Sequence, residues 1–573
     1  MRVSAALFAM WSAGVLVGQP AEAWAQAAGV ADRAASCNGL RVSAVDVVHS
    51  DRGALDRAHA PAFVRALLTP LLYGTPSRAG AITPWLQIRV GMVCSDLRLR
   101  ESERLLRLLP YIADARVSFT DDGAGGVRAT VETTDDIRPI IGAGLRGSRL
   151  TDVELGSNSL DGSGHLLAAR WRDGGAFRDF VGVRYADYHL FGGANLGEMA
   201  YARTPLGSVA KATISRPFLT DLQHTAAFAG YLRDDGYVDF ARTDGEPLSV
   251  RATRERFDAG FATRVSTRGQ GSWLAGVLLM QERRTAGDDA VRITDRGLFD
   301  TTSTDFANRF GTASATRVGA VLGVRALQFV KATAFDGLES VQDMGRGVQL
   351  SAVYGRDVTR GANAFLSGDL YAGVGNAASF VGVRVQGEAR EDARGWGNSV
   401  LSGRLAWYSR PSPRQTRVVS VEYAGAATDS VPFQLSIADG PTGLRGYSGS
   451  RLSGGRRLIA RAERRVMLPG IVSAFGWGAA AFVDAGQMWA ARVPFGESAF
   501  RGSAGVALLA AVPRASRSLA RVDIAYPLVP DAHAKGVDVR VSYRVAARAF
   551  WREPFALSRV RVTSPTTDIF SWP

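Results

Sequence analysis

Val537-Asp-Val-Arg-Val-Ser-Tyr-Arg-Val-Ala-Ala-Arg-Ala549 puts Val537, Val539, Val541, Tyr543, Val545, Ala547 and Ala549 on one face of an extended chain. Asp538, Arg540, Ser542, Arg544, Ala546 and Arg548 fall on the other. Successive side chains of a strand point to opposite faces, so the stretch reads as one strand, greasy on one side and charged on the other. A soluble sandwich alternates in the same way, and length separates the two readings. Strands of soluble sheets run to about 5–6 residues, whereas a tilted strand needs about 9–11 to cross hydrocarbon. Backbone amides left unpaired in lipid are too costly to tolerate, so strands of this kind must close into a barrel without free edges.

Outward from that strand the pattern recurs. In residues 475–486, Phe475, Trp477, Ala479, Ala481 and Val483 share one side, and Gly476, Gly478, Ala480, Phe482 and Asp484 the other. Residues 180–189, 254–265, 312–329, 347–354, 380–388, 416–424 and 519–528 behave alike, with Gly, Asp and Pro between them. The tally after Ile140 reaches about 20 strands, an even number within the range of such barrels. The expected fold class is mainly β, a transmembrane antiparallel β-barrel over residues 139–551, followed by a tail over 552–573. With 46% hydrophobic and 21% charged residues and 64 glycines, nothing after the N-terminus reaches the ~18 apolar residues of a spanning helix.

Met1-Arg2, an apolar run over residues 5–17 and Ala23-Trp24-Ala25 follow the order of a secretory signal, expected to occupy residues 1–25; a membrane anchor is the alternative, disfavoured by the shortness of the run. Residues 38–138 have a different grain. Val42, Val45, Val47 and Val48 suggest a strand, residues 61–72 a helix, and leucines at 97, 99, 105, 106, 108 and 109 among Arg and Glu an amphipathic helix. Alternating residues 115–119, an Asp/Gly-rich turn and alternating residues 127–131 complete a β-α-α-β-β order.

The sequence has two cysteines, Cys37 and Cys94, in a chain sent to an oxidising compartment, and a disulfide is the expected reading. Two free thiols remain the alternative, because sequence does not place their Cα atoms within about 7 Å. Neither they nor the six histidines show zinc-ligand spacing, so no metal and no cofactor is expected. The net charge of +14 is nearly all arginine, lysine occurring only at 211, 331 and 535. Because these arginines alternate with apolar residues instead of clustering, nucleic acid is not an expected partner.

The β-α-α-β-β order, with residues 102–116 as a helix running into a strand, resembles the polypeptide-transport-associated (POTRA) domain, with a longer stretch between the helices, about residues 73–90, and room for one such domain. Two motifs extend the resemblance to the BamA/TamA family. Gly443-Leu444-Arg445-Gly446-Tyr447 is similar to the tip of that family's inner loop. Phe482-Val-Asp484-Ala-Gly486, with Trp489 after it, is similar to the family's loop-docking strand. Two segments containing Ser215-Arg-Pro-Phe-Leu219 and Arg521-Val-Asp are similar to family strand ends, whereas the tail beyond Phe550-Trp551 departs from the usual aromatic terminus.

The resemblance implies sixteen strands, fewer than the pattern. It implies Arg445 inside the lumen against Asp484 and beside Phe482, and a periplasmic domain whose strand edge at Ala115, Val117 and Phe119 binds extended clients by strand addition. It implies no bond chemistry. The implied function is assembly or translocation of unfolded outer-membrane or secreted clients in a Gram-negative outer membrane, with lipid and accessory periplasmic proteins as further partners. A two-partner secretion transporter for one exoprotein is the alternative in the same class, although those usually carry two periplasmic domains behind a plug helix. From other classes, a barrel hydrolase could draw on His165, His189 and His224, although Gly446-Tyr-Ser-Gly-Ser450 lacks the last glycine of a nucleophile elbow. An anion-selective porin would lack the domain in front.

Overall fold

The computed structural model describes residues 39–49, 75–146, 149–174, 177, 179–294 apart from 269–270, 296–301, 303, 305–306, 309–359, 363–392, 395–428, 431–440, 442–469, 475–512, 514–545 and 553–562. The signal, the helix expected at 61–72 and Cys37 lie outside these residues.

The N-terminal unit is a three-stranded sheet covered by helix. Strand β1 (Arg41–His49) pairs in parallel with β3 (Gly126–Asp135), and β2 (Ile112–Asp121) pairs antiparallel with the other side of β3. The long stretch before the second expected helix holds a short helix, α1 (Ala79–Ile82), and a 3-10 turn, Thr83–Trp85. Then α2 (Asp96–Leu108) starts where the Ser95 side chain accepts from the Arg98 N–H, satisfying one of the free amides of a first turn. Its leucines 105 and 106 pack on Val117, Phe119, Ala129 and Val131 of the sheet. Cys94, just before α2, is buried and disulfide-bonded.

From Pro139 the chain forms a ring of 20 antiparallel strands, closed when the last, Asp538–Val545, returns to the first, Pro139–Arg146. The sixteen strands implied by resemblance fall short of this; the long strands Leu248–Arg268, Gly271–Thr294 and Ala313–Thr333 pair side by side as separate staves. Gly297–Thr301 is an outlying strand on Gly271–Thr294 and does not count as a stave of the ring. The last stave is described over Asp538–Val545, and the remainder of its alternating stretch, 546–549, lies outside the described residues. No described helix is long and apolar enough to cross a membrane, which says nothing about strands.

Alternation sorts the wall. In strand Gly476–Trp489, Phe482, Asp484 and Met488 are buried toward the lumen while Ala481, Val483 and Trp489 face out. Val277, Leu279, Val318, Leu322, Val348, Leu350, Val506, Leu508 and Ile524 extend an apolar outer surface around the ring. Arg254, Glu282, Arg317, Arg325, Asp369, Arg384 and Glu388 are buried inside. An exterior band of this kind suits hydrocarbon, and the charged interior is sheltered from it.

The N-terminal unit docks on the barrel end where Pro139 enters, and α2 is buried on both faces. Its charged side, which amphipathicity alone would place in water, meets the barrel. Arg107 makes a two-pronged contact with Asp343 at 2.8 and 2.7 Å, Lys331 pairs with Glu103, and the Arg104 guanidinium lies 4.0 Å over the Phe329 ring. Asp136 accepts from Ser516 Oγ at 2.6 Å and from the Arg517 N–H, while Arg517 donates to the Leu109 carbonyl that ends α2. Tyr111 stacks edge-on to Tyr188 of a barrel turn. Apolar residues of unit and barrel form one continuous core.

Candidate functional site

The long segment between strands Gln415–Ala427 and Arg456–Leu468 does not stay outside but folds into the lumen, pinned by a two-residue pairing of Leu435–Ser436 with Ser453–Gly454. Gly443-Leu444-Arg445-Gly446-Tyr447 forms its deepest part. Leu444 and Tyr447 are fully buried, packed with Ile437, Leu452, Ile459 and Met488. The Tyr447 hydroxyl donates toward the carbonyls of Gly502 at 2.7 Å and Val529 at 2.8 Å, and burial raises its pKa.

The glycines are steric requirements. Gly446 has φ +85°, open to glycine at no cost. A Cβ on Gly443 would lie 2.5 Å from the Asp439 nitrogen and 2.8 Å from the Ile437 carbonyl oxygen, both backbone atoms. On the wall opposite, a Cβ on Gly486 would press on Ile437 and Leu444 at 3.0 and 3.2 Å, so this glycine is the dent that receives the loop. Gly443→Ala is therefore expected to cost about 1–3 kcal/mol by overpacking, read as a lower urea midpoint for the folded barrel.

Arg445 joins loop to wall. Its Nε and Nη2 donate to the two oxygens of Asp484 at 2.7 and 2.6 Å, its Nη1 donates to Glu463 at 2.7 Å, and its guanidinium lies 3.5 Å over the Phe482 ring. Asp523 stands 3.6 Å away. Burial opposes the charge on Arg445, yet Asp484, Glu463 and Asp523 outweigh it and raise its pKa further above that of an ordinary arginine. The structure thus brings together Arg445, Phe482, Asp484 and Gly486, the residues chosen from sequence.

The sequence reading missed half of this cluster. Glu463 also accepts from Arg521 at 2.9 and 2.7 Å and from Arg465 at 2.6 Å, so one acid serves three guanidiniums. Arg461 donates to the Thr442 and Gly443 carbonyls, both at 3.0 Å, and Arg457 to the carbonyls of Ser436 and Thr442. No sequence signal marked Glu463, because its place opposite Phe482 is set by the register between the two strands.

The strand edge proposed for clients lies elsewhere and is covered. Ala115, Val117 and Phe119 are buried side chains, facing α2. The outward backbone of β2 is engaged too: the Val117 N–H donates to Glu103 at 3.0 Å and the Ala115 carbonyl accepts from Arg107 at 2.9 Å. Since those side chains also hold Lys331 and Asp343 of the barrel, the same contacts that dock the unit occupy the start of its edge.

The tail was outside every motif, and it enters the barrel. Glu553–Val562 lies in the lumen, with α3 (Phe555–Val560) placing Leu557 and Val560 against Val400, Ala424, Ala426, Phe433 and Leu435. The carbonyls at a helix C-terminus lack partners within the helix, and here lumen arginines supply them: Arg254 donates to Arg559 and Val562, and Arg390 to Val560. Arg561 pairs with Glu553, whose charge outweighs the effect of burial and raises the arginine pKa. Exchanging Leu557 and Val560 together for aspartate would bury unpaired charge. The tail is then expected to leave, so that trypsin cuts after Arg559 and Arg561 in the folded variant while sparing the parent; equal protection would show the tail is held by other means.

Pro139–Arg146 and Asp538–Val545 are each laddered along their length to an inner neighbour, yet among the described residues they meet each other at one register pair, Arg146 with Arg540.

No protein-family model matches this sequence, and no curated protein does. Among solved structures the chain is similar to BamA from Haemophilus ducreyi lacking POTRA domains 1-3, at 11% identity and TM-score 0.38 over 87% of this chain and 84% of that one. It is similar to CdiB from Escherichia coli, at 11% identity and TM-score 0.44 over 92% of each chain. It is also similar to the siderophore receptor PirA from Pseudomonas aeruginosa, at 10% identity and TM-score 0.32 over 74% of this chain and 83% of that one. These neighbours differ in kind, and the functional reading rests on this chain's own residues.

Proposed function

We propose that this chain is an outer-membrane protein of the BamA/TamA kind that assembles unfolded protein clients, with its N-terminal unit in the periplasm. The carrying observation is the closing seam, where among the described residues one register pair joins two strands that are laddered along their inner sides. Backbone N–H and C=O groups facing hydrocarbon without partners are costly, and a client strand adding to either edge would satisfy them. The Arg445 cluster would hold the inner loop on the strands next to that seam, keeping one side of the gate rigid. Glu103 and Arg107 would have to release β2 before it could receive a client.

Export through the lumen is the second reading, favoured by α3, which fills the interior as a removable plug would. A hydrolase finds less support: the hydroxyls of Ser448 and Ser450 donate to Asp538 and Asp531, not to a histidine base. Depleting the protein and comparing outer-membrane with secreted proteomes tests the proposal. Loss of many barrel proteins is the expected result, loss of a single exoprotein would favour export, and an unchanged profile would overturn both.

A further inference from the structure

We propose that His165, Asp187 and His189 form a binding site for a divalent transition metal, zinc above all, at the barrel rim where the N-terminal unit docks. Sequence spacing does not show this site, because it is made by strand register. His165 begins strand His165–Arg172 and Asp187 ends strand Phe180–Asp187, and the ladder sets these two residues directly opposite each other. His189 follows two residues later in the turn, with its own N–H donating to Asp187 Oδ1 at 2.9 Å. Each of the three side chains offers a ligand atom within 4.8 Å of the other two.

The orientation of the donor atoms points to a shared ligand. His189 Nδ1 is 2.8 Å from Asp187 Oδ1, and His165 Nδ1 is 3.9 Å from the same oxygen. His189 Nδ1 is buried and has no aligned hydrogen-bond partner, so imidazole and carboxylate converge on one place in close contact but without an aligned hydrogen bond between them. Two imidazoles and one carboxylate are a donor set that zinc accepts, with a fourth position left for water. Oxygen-seeking calcium and magnesium would not choose two nitrogens. Tyr185 flanks the set: its ring stacks on the His165 imidazole, and its hydroxyl lies 2.9 Å from His165 Nδ1, a contact that an ion on that nitrogen would displace.

The location gives the ion a task. The turn before His165 accepts the Arg78 N–H on the Gly162 carbonyl at 2.8 Å, and Tyr188, between Asp187 and His189, packs on Tyr111. A metal here would tie together the two barrel turns that hold the N-terminal unit. Binding to the folded chain alone would raise its stability by mass action.

The test uses the full chain, folded in detergent, freed of metal with a chelator and titrated with Co²⁺ and then Zn²⁺. The expected result is uptake of one Co²⁺ with the visible absorption of a low-coordinate site, its displacement by Zn²⁺, and a higher unfolding temperature with Zn²⁺. His165→Ala and His189→Ala should abolish uptake, and His224→Ala, outside the cluster, should leave it intact. Asp187→Asn, nearly the same shape, guards against loss through misfolding, and each variant is checked for the heat-dependent gel shift of a folded barrel. No stoichiometric uptake by the parent, or equal uptake by parent and His165→Ala, overturns the proposal.

Discussion

Arg445→Ala is expected to destabilise the folded barrel by about 3–5 kcal/mol, the usual cost of stranding buried charges by removing one partner. The cost follows from what is left behind. Asp484 is 1% exposed and would lose both donors of its two-pronged contact, while Glu463, 6% exposed, would keep Arg521 and Arg465. The larger part of the loss therefore belongs to Asp484. Asp484→Asn in the same chain should recover part of the stability of Arg445→Ala, because the stranded charge is then gone. Arg445→Lys should fall between, since an ammonium cannot match a two-pronged acceptor and lies less favourably over the Phe482 ring. Urea unfolding of detergent-folded protein and loss of the heat-dependent gel shift are the measurements. Parental stability and activity in Arg445→Ala would remove the loop anchor from the account.

A disulfide across the seam should abolish assembly activity. Arg146 and Arg540 are register partners, and facing Cα atoms of antiparallel strands lie about 4.5–5.5 Å apart, within the span a disulfide bridges. The double variant Arg146→Cys with Arg540→Cys, oxidised, would turn the closing seam into a covalent junction. Reconstituted client insertion should stop and return on reduction. The control is Val522→Cys with Val541→Cys, a pair inside a continuous ladder, where cross-linking closes nothing that needs to open. If the oxidised seam variant still inserts clients at the parental rate, the gate does not lie between these strands. Export through the lumen would then become the stronger reading, and release of α3 the step to examine.

Much of the wall is legible one residue at a time. Whether Phe482 and Asp484 face inward and Val483 outward depends only on the two-residue period of the strand, which the chain carries locally. The same period fixed the approximate number of staves, where family resemblance set it too low. The inner loop was readable for another reason: glycine at 443 and 446 and arginine at 445 are chemically specific demands of one tight docking, so they leave a mark in sequence.

What alternation cannot give is height and angle around the ring. That Glu463 stands beside Phe482 depends on the stagger between neighbouring strands, which no single strand carries. The helix α2 shows the same limit, since its Arg and Glu face matches water or a charged barrel rim equally well, and only Asp343, Lys331 and Arg517, far away in sequence, select the rim. The tail is the extreme case: Leu557 and Val560 belong to a short stretch of mixed apolar and charged residues without a strand's alternation, and their burial requires an interior that exists only after twenty strands have closed. Sequence by itself determined the strands and their two faces, because these follow from local geometry, and family resemblance supplied Arg445, Phe482 and Asp484 of the loop anchor. Tertiary structure alone decided the closing pair, the occupants of the lumen and the His165, Asp187 and His189 cluster, because each depends on where distant backbone segments come to rest against one another.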